Sequence, residues 1–298
     1  MGLAGGATGA KAVFKERFAS SFMEFATLAK ARECTGVGRV QTLVVVDGNV
    51  LVMQIPKSIT SFRGYVQVIS SMIHGAILAG EHVVVVFDEP ENLTRAKKEE
   101  QAKRDARRTP QTPICSDDVA SPCPKDDNYK QEDLDASTTN VYLMVKNHRK
   151  TRPRFYDALF VAVLAHMKQM FEGQECAWSL TFDGVDARGM ERPVGATRAL
   201  GLLSSHIDVW EPLLTRDEPI GEGDLKLTDV TQRVHDAALL EGTPVHGVAL
   251  NLVVTIDTDS FAIELLQQNR RSRRPNEPDD NELTLLCFKE RARKRAGD

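Results

Sequence analysis

Six carboxylates fall where a folded chain can use them together. Glu222 and Asp224 lie in Gly221-Glu222-Gly223-Asp224-Leu225-Lys226, while Asp257 and Asp259 close the apolar run 248–256. Carboxylates brought close together repel one another, so a fold that gathers these two pairs calls for a cation, and a metal-dependent site is the first expectation. Asp47 and Asp88 each end a β-branched run, and open α/β sheets bind ligands at the carboxyl ends of their strands. Beyond Asp88 the charge changes sign: Arg95, Lys97, Lys98, Lys103, Arg104, Arg107 and Arg108 lie within fourteen residues. Each feature has a plainer reading beside this one. Asp47 and Asp88 can cap helices, Glu222 and Asp224 can be first-turn acids favoured by the macrodipole, Asp257 and Asp259 can form a turn, and the basic run can be a solvated helix laced by salt bridges.

The elements that must position these residues follow from hydrophobic period. Residues 42–46, 82–87, 178–182, 247–256 and 282–288 read as strands, and residues 12–31, 65–79, 154–171 and 226–240 carry apolar residues at helical spacing. Gly80 is a natural stop for the second of these helices. Strand-Asp, helix, strand-Asp is a βαβ pattern, so a parallel α/β sheet is expected, with both aspartates at one edge. Asp183 reads as the end of the third strand and not as a metal ligand. Residues 196–204 read as a short helix and residues 206–210 as a short strand.

Length and composition set the bounds. With 298 residues and 42% hydrophobic content the chain can bury a real core, and it reads as one domain over 1–298. Residues 109–140, rich in Pro, Ser, Asp and Lys, read as a disordered insertion. Residues 185–220 read as an elaborated connection and 289–298 as a charged tail. The net charge of −4 argues against a general polyanion binder but leaves room for a local basic patch. Five cysteines without a CxxC pair fit a reducing compartment, and Cys115 and Cys123 read as free thiols. No secretory signal and no run of roughly 20 apolar residues is present, so the expectation is an intracellular protein, cytoplasmic or nuclear, with no membrane partner.

Taken in order, the motifs resemble the flap-endonuclease and 5′-3′ exoribonuclease superfamily of metal-dependent nucleases, and the exoribonuclease branch more closely. That branch carries G-E-G-E-H-K before its central helix; here Gly221 to Lys226 stand in the same order, with Asp224 for Glu and Leu225 for His. A strand ending in D-x-D follows, matched by Ile256-Asp257-Thr258-Asp259. An R-A-K segment, with Gln four residues past the Lys and Arg three further on, is matched by Arg95-Ala96-Lys97, Gln101 and Arg104. Met1-Gly2 and Asp47-Gly48-Asn49 also fit. The later G-x-D-type acid of the family has no counterpart in Cys287-Phe288-Lys289-Glu290.

The resemblance implies a PIN-like (flap-endonuclease-like) three-layer α/β fold with a mainly parallel central sheet and a basic helical arch. It implies a metal-dependent 5′-3′ exonuclease that hydrolyses phosphodiester bonds of single-stranded RNA with two Mg²⁺ or Mn²⁺ ions. Asp47, Asp88, Glu222 and Asp224 would gather around one ion, with Asp257 and Asp259 around or between both. Lys97 and Arg104 would contact the scissile phosphate and Gln101 would position a phosphate or water. Arg95, Lys98, Arg107 and Arg108 would hold the strand. Two alternatives stand beside this: a flap-endonuclease-like DNA nuclease, and a degenerate nuclease fold that binds nucleic acid or protein without cutting, which the missing last acid favours.

Overall fold

The computed structural model describes residues 25–106 apart from 57, 60, 90 and 91; 152–183 apart from 175 and 176; 197–200; 213–255 apart from 215, 239, 241, 242 and 244; 263 and 266; and 283–288. The valine-rich runs form its centre, because β-branched side chains suit a pleated sheet buried on both faces. Among the described residues β1 (Thr42–Asp47), β2 (His82–Val86), β3 (Ser179–Asp183), β4 (Thr197–Leu200), β5 (Leu250–Thr255) and β6 (Leu283–Phe288) make one sheet in the order β4-β3-β2-β1-β5-β6. All neighbours pair in parallel except β4, which runs antiparallel to β3. The parallel α/β sheet expected from the strand pattern is therefore present, with one antiparallel edge strand among the described residues.

Among the described residues six α-helices accompany the sheet: α1 (Leu28–Glu33), α2 (Gly48–Met53), α3 (Phe62–Ala79), α4 (Arg95–Ala106), α5 (Arg152–Met170) and α6 (Gly223–Ala238). The side chains of β1 alternate strictly between two buried layers, as the period of a strand demands. Val44 and Val46 pack with α3 and α5, through residues such as Ile69, Ile73, Leu159 and Val163. Leu43 and Val45 pack with α6, through Leu227, Val230 and Val234. Helices thus cover both faces. Each fully buried side chain of this size contributes about 1.5–3 kcal/mol relative to exposure, and Phe87, Phe160 and Phe182 anchor one end of the first layer with ring centroids 4.7 and 5.0 Å apart along the series.

Most element boundaries lie within a turn of those expected. Ser61 caps α3, accepting from Gly64 N–H at 3.1 Å, and so starts that helix three residues before residue 65. Helix α6 begins at Gly223, inside the glycine-acid motif. Two expectations are overturned. Thr27 is extended and caps α1, so residues 25–27 of the expected 12–31 helix are not helical; and within residues 196–204, Thr197–Leu200 is a strand and not a helix. Its pairing with β3 explains this, since without it the N–H and C=O groups along that edge of β3 would lack ladder partners. The expected strand at 206–210, the insertion at 109–140, the tail at 289–298, and Cys115 and Cys123 lie outside the described residues, as do residues 12–24 of the first expected helix. Cys34 is a free, exposed thiol. Among the described residues no helix is long and apolar enough to cross a membrane.

Strand order reverses at β1. From there the chain steps outward through β2, β3 and β4, then returns to the other flank as β5 and β6. The crevice outside the carboxyl ends of the strands at such a switch point is where open α/β sheets bind ligands. Asp47 ends β1 beside Val86, Val86 lies beside Asp183, and Val46 lies beside Val254, so β1, β2, β3 and β5 all finish along one edge.

Candidate functional site

Four of the six expected carboxylates lie among the described residues, all near that edge. Asp47 is buried; it caps α2 by accepting from Asn49 N–H at 2.9 Å. Gly48 beside it has no room for a side chain, because a Cβ there would come within 2.2 Å of the Phe87 ring. Asp88 is exposed and is held from two sides. Gly223 N–H donates to its Oδ1 at 2.7 Å and Asn49 Nδ2 donates to its Oδ2 at 3.1 Å. The plainer capping reading is thus realised for Asp47, and Asp88 satisfies the first N–H of α6 from another part of the chain. These bonds also tie β1, the end of β2 and the start of α6 together around one carboxylate.

The basic run becomes α4, as expected from its strong helix formers. Thr94 starts it, its Oγ accepting from Lys97 N–H at 3.4 Å, and its hydroxyl also donates to Glu222 Oε1 at 3.5 Å. Lys97 Nζ lies 3.4 Å from Glu222 Oε2, with both side chains partly exposed. Burial pulls the Lys97 ammonium down, yet Glu222, with Asp224 and Glu100 behind it, outweighs this and holds it above the ordinary lysine value. Asp224 itself is a first-turn acid of α6. One cation of α4 therefore sits in the combined field of the glycine-acid motif.

The other expected residues divide. Arg95 points to solvent, 94% exposed, and pairs with Glu99 at 2.9 Å, which is the salt-bridged-helix reading. Lys98 is exposed. Positions 97, 101 and 104 recur at i, i+4 and i+7 and so share a face of α4. The side chains of Gln101 and Arg104, and the whole of Arg107, Arg108, Asp257 and Asp259, lie outside the described residues. Thr255, the last residue of β5, is buried and ends two residues before Asp257.

Oxygen-only carboxylate donors suit Mg²⁺ or Mn²⁺. Among the described residues, however, no three of His, Cys, Asp and Glu converge as a metal-holding group.

Sequence reasoning missed a buried ionic network directly behind this edge. Glu89, next to exposed Asp88, is buried and bonded to fully buried Lys226. Lys226 Nζ also lies 3.4 Å from Asp183 Oδ1, and Arg216 bridges Asp183 at 2.8 Å and Asp229 at 2.6 Å. Arg233 completes the set at 3.0 Å from Asp229, so three cations meet three carboxylates. Burial pulls the Arg216 guanidinium down, and Asp183 and Asp229 more than offset it. Asp183 is structural, in line with its reading as a strand end. The missed signal was Asp183 itself, a charged residue on a strand buried on both faces, which needs a partner.

Comparison of the chain with protein-family models, with curated proteins and with solved structures returned no match.

Proposed function

We propose that this chain is a metal-dependent 5′-3′ exonuclease of PIN-like fold that hydrolyses phosphodiester bonds of single-stranded RNA. The observation that carries the reading is the ion pair between Lys97 of the basic helix and Glu222 of the glycine-acid motif, at the carboxyl edge of a parallel sheet. It joins two motifs 125 residues apart, of which the resemblance assigns the acidic one to a metal ion and the basic one to the scissile phosphate.

Magnesium, when bound by Asp47, Asp88, Glu222, Asp224, Asp257 and Asp259, would supply charge neutralisation and an activated water. The chain's own cations do the rest. An incoming phosphate competes with Glu222 for the Lys97 ammonium, and the ammonium then stabilises the negative charge that grows as the phosphodiester is attacked. Thr94 and Gly223 hold α4 and the start of α6 in register while this happens. Arg95, Lys98, Arg104, Arg107 and Arg108 attract backbone phosphates and read no sequence, so sequence preference is weak. Incubation with 5′-phosphorylated single-stranded RNA, matching DNA and flap DNA separates the substrates: stepwise loss of the RNA from its 5′ end supports the reading, and cleavage of the flap alone favours a DNA nuclease.

A second reading has its own support. The described residues bring no three acids together as a metal-holding group, and β6 is followed by Lys289-Glu290 where the family has an acid of G-x-D type. A nuclease fold that binds nucleic acid or protein without cutting fits those two facts. Metal-independent RNA binding without cleavage identifies it.

A further inference from the structure

We propose that Lys226 is a positioning residue that sets the placement of the basic helix over the site, acting through Glu89. The inference deepens the nuclease reading and rests on it only where turnover is concerned. Lys226 lies one turn into α6, on the side facing the sheet, and is wholly buried. It cannot reach substrate. Its ammonium bridges two carboxylates from different strands: Asp183 at the end of β3, 3.4 Å away, and Glu89 just past the end of β2.

Glu89 is the point from which the chain departs toward α4. Its backbone N–H donates to Gly221 C=O at 2.8 Å, its C=O accepts from Asn92 N–H at 2.9 Å, and its Oε2 accepts from Asn92 Nδ2 at 2.7 Å. Asn92 and Leu93 then pass so close over Gly221 that a Cβ there would come within 2.3 Å of the Asn92 backbone. Two residues later Thr94 bonds Glu222 and starts the helix that brings Lys97 to Glu222. Every step from Lys226 to Lys97 is thus a close contact: Lys226 to Glu89, Glu89 to Asn92, Asn92 against Gly221, Thr94 and Lys97 to Glu222.

Asp183 has a second cation in Arg216, so the partner that depends most on Lys226 is Glu89. This gives the bridge a role beyond neutralising charge. A merely structural ion pair can be replaced by two apolar side chains of similar volume with little loss of stability. For a positioning pair the same replacement restores stability but not placement, because apolar groups fill the space without fixing the direction of the loop.

The test is the double variant Glu89→Leu/Lys226→Met in the full chain, compared with Lys226→Met alone and with wild type. The double variant should recover most of the melting temperature lost in the single one. Amide hydrogen exchange across residues 92–100 should nevertheless remain at least tenfold faster than in wild type, while exchange in Phe62–Ala79 is unchanged. RNA turnover should stay at least tenfold down, with kcat falling more than KM rises. Wild-type exchange across 92–100 in the double variant would overturn the inference and reduce the bridge to packing. If wild type cuts no RNA but the exchange result holds, the nuclease reading fails and the positioning role stands. Should the Met variants not fold, Glu89→Gln, which keeps size and an acceptor but removes the charge, is read by the same exchange measurement with the same two outcomes.

Discussion

Two lysines at one edge of the sheet each hold a glutamate, and they differ in almost everything else. Lys97 pairs with Glu222 across 3.4 Å with 31% of its side chain exposed, on a helix that meets solvent on its other faces. Lys226 pairs with Glu89 with none of its side chain exposed, inside a network of three cations and three carboxylates. The partly exposed pair is screened by water and contributes little to stability. The buried pair has surrendered hydration for fixed geometry, so removing Lys226 leaves Glu89 a buried charge without its cation. Adjacent residues make the same contrast: Asp88 faces solvent while Glu89 faces the core. Under the proposed function reactivity belongs to the first group, and under the further inference placement belongs to the second.

That division can be broken at four points. Lys226→Met should lower unfolding free energy by about 3–5 kcal/mol, the usual loss when one partner of a buried ion pair is removed; urea titration measures it, and a loss below about 1 kcal/mol would mean water reaches the network. Gly221→Ala, forced against the Asn92 backbone, should lose about 1–3 kcal/mol as an overpacked position does, with α4 displaced along with it. Lys97→Met should change stability by less than about 1 kcal/mol while RNA turnover falls about 10²–10³-fold, the range for removing one donor that stabilises developing charge. Asp47→Asn should move stability least, by about 0.5 kcal/mol or less, because Asn caps a helix about as well as Asp. The same substitution should abolish turnover, which separates capping from chemistry at that position.

Period and composition were enough for the layers of the fold. The runs at Thr42 and His82 carry β-branched residues on both faces, which only a sheet covered on both sides accommodates, and the switch point at β1 followed once β5 paired on its other flank. The edge strand β4 was not legible, because Thr197–Leu200 has no alternation of its own and takes its form from the free edge of β3. At the site, strand-end acids and the basic run could be seen in the sequence, as could the motif that joins them. The Glu89, Lys226 and Asp183 bridge could not, because it links residues 137 and 43 positions apart whose spacing follows no local period. Asn49 carries no role that its motif alone reveals, and its bond to Asp88 appears only when β1 and β2 are laid side by side.

The most direct measurement is degradation of 5′-phosphorylated single-stranded RNA by the purified chain, with Mg²⁺ and after chelation, in wild type and in Asp257→Ala. Stepwise loss of RNA from the 5′ end that needs Mg²⁺ and disappears in the variant is the expected result. RNA that stays intact with Mg²⁺ present, while still binding the protein after chelation, would contradict it.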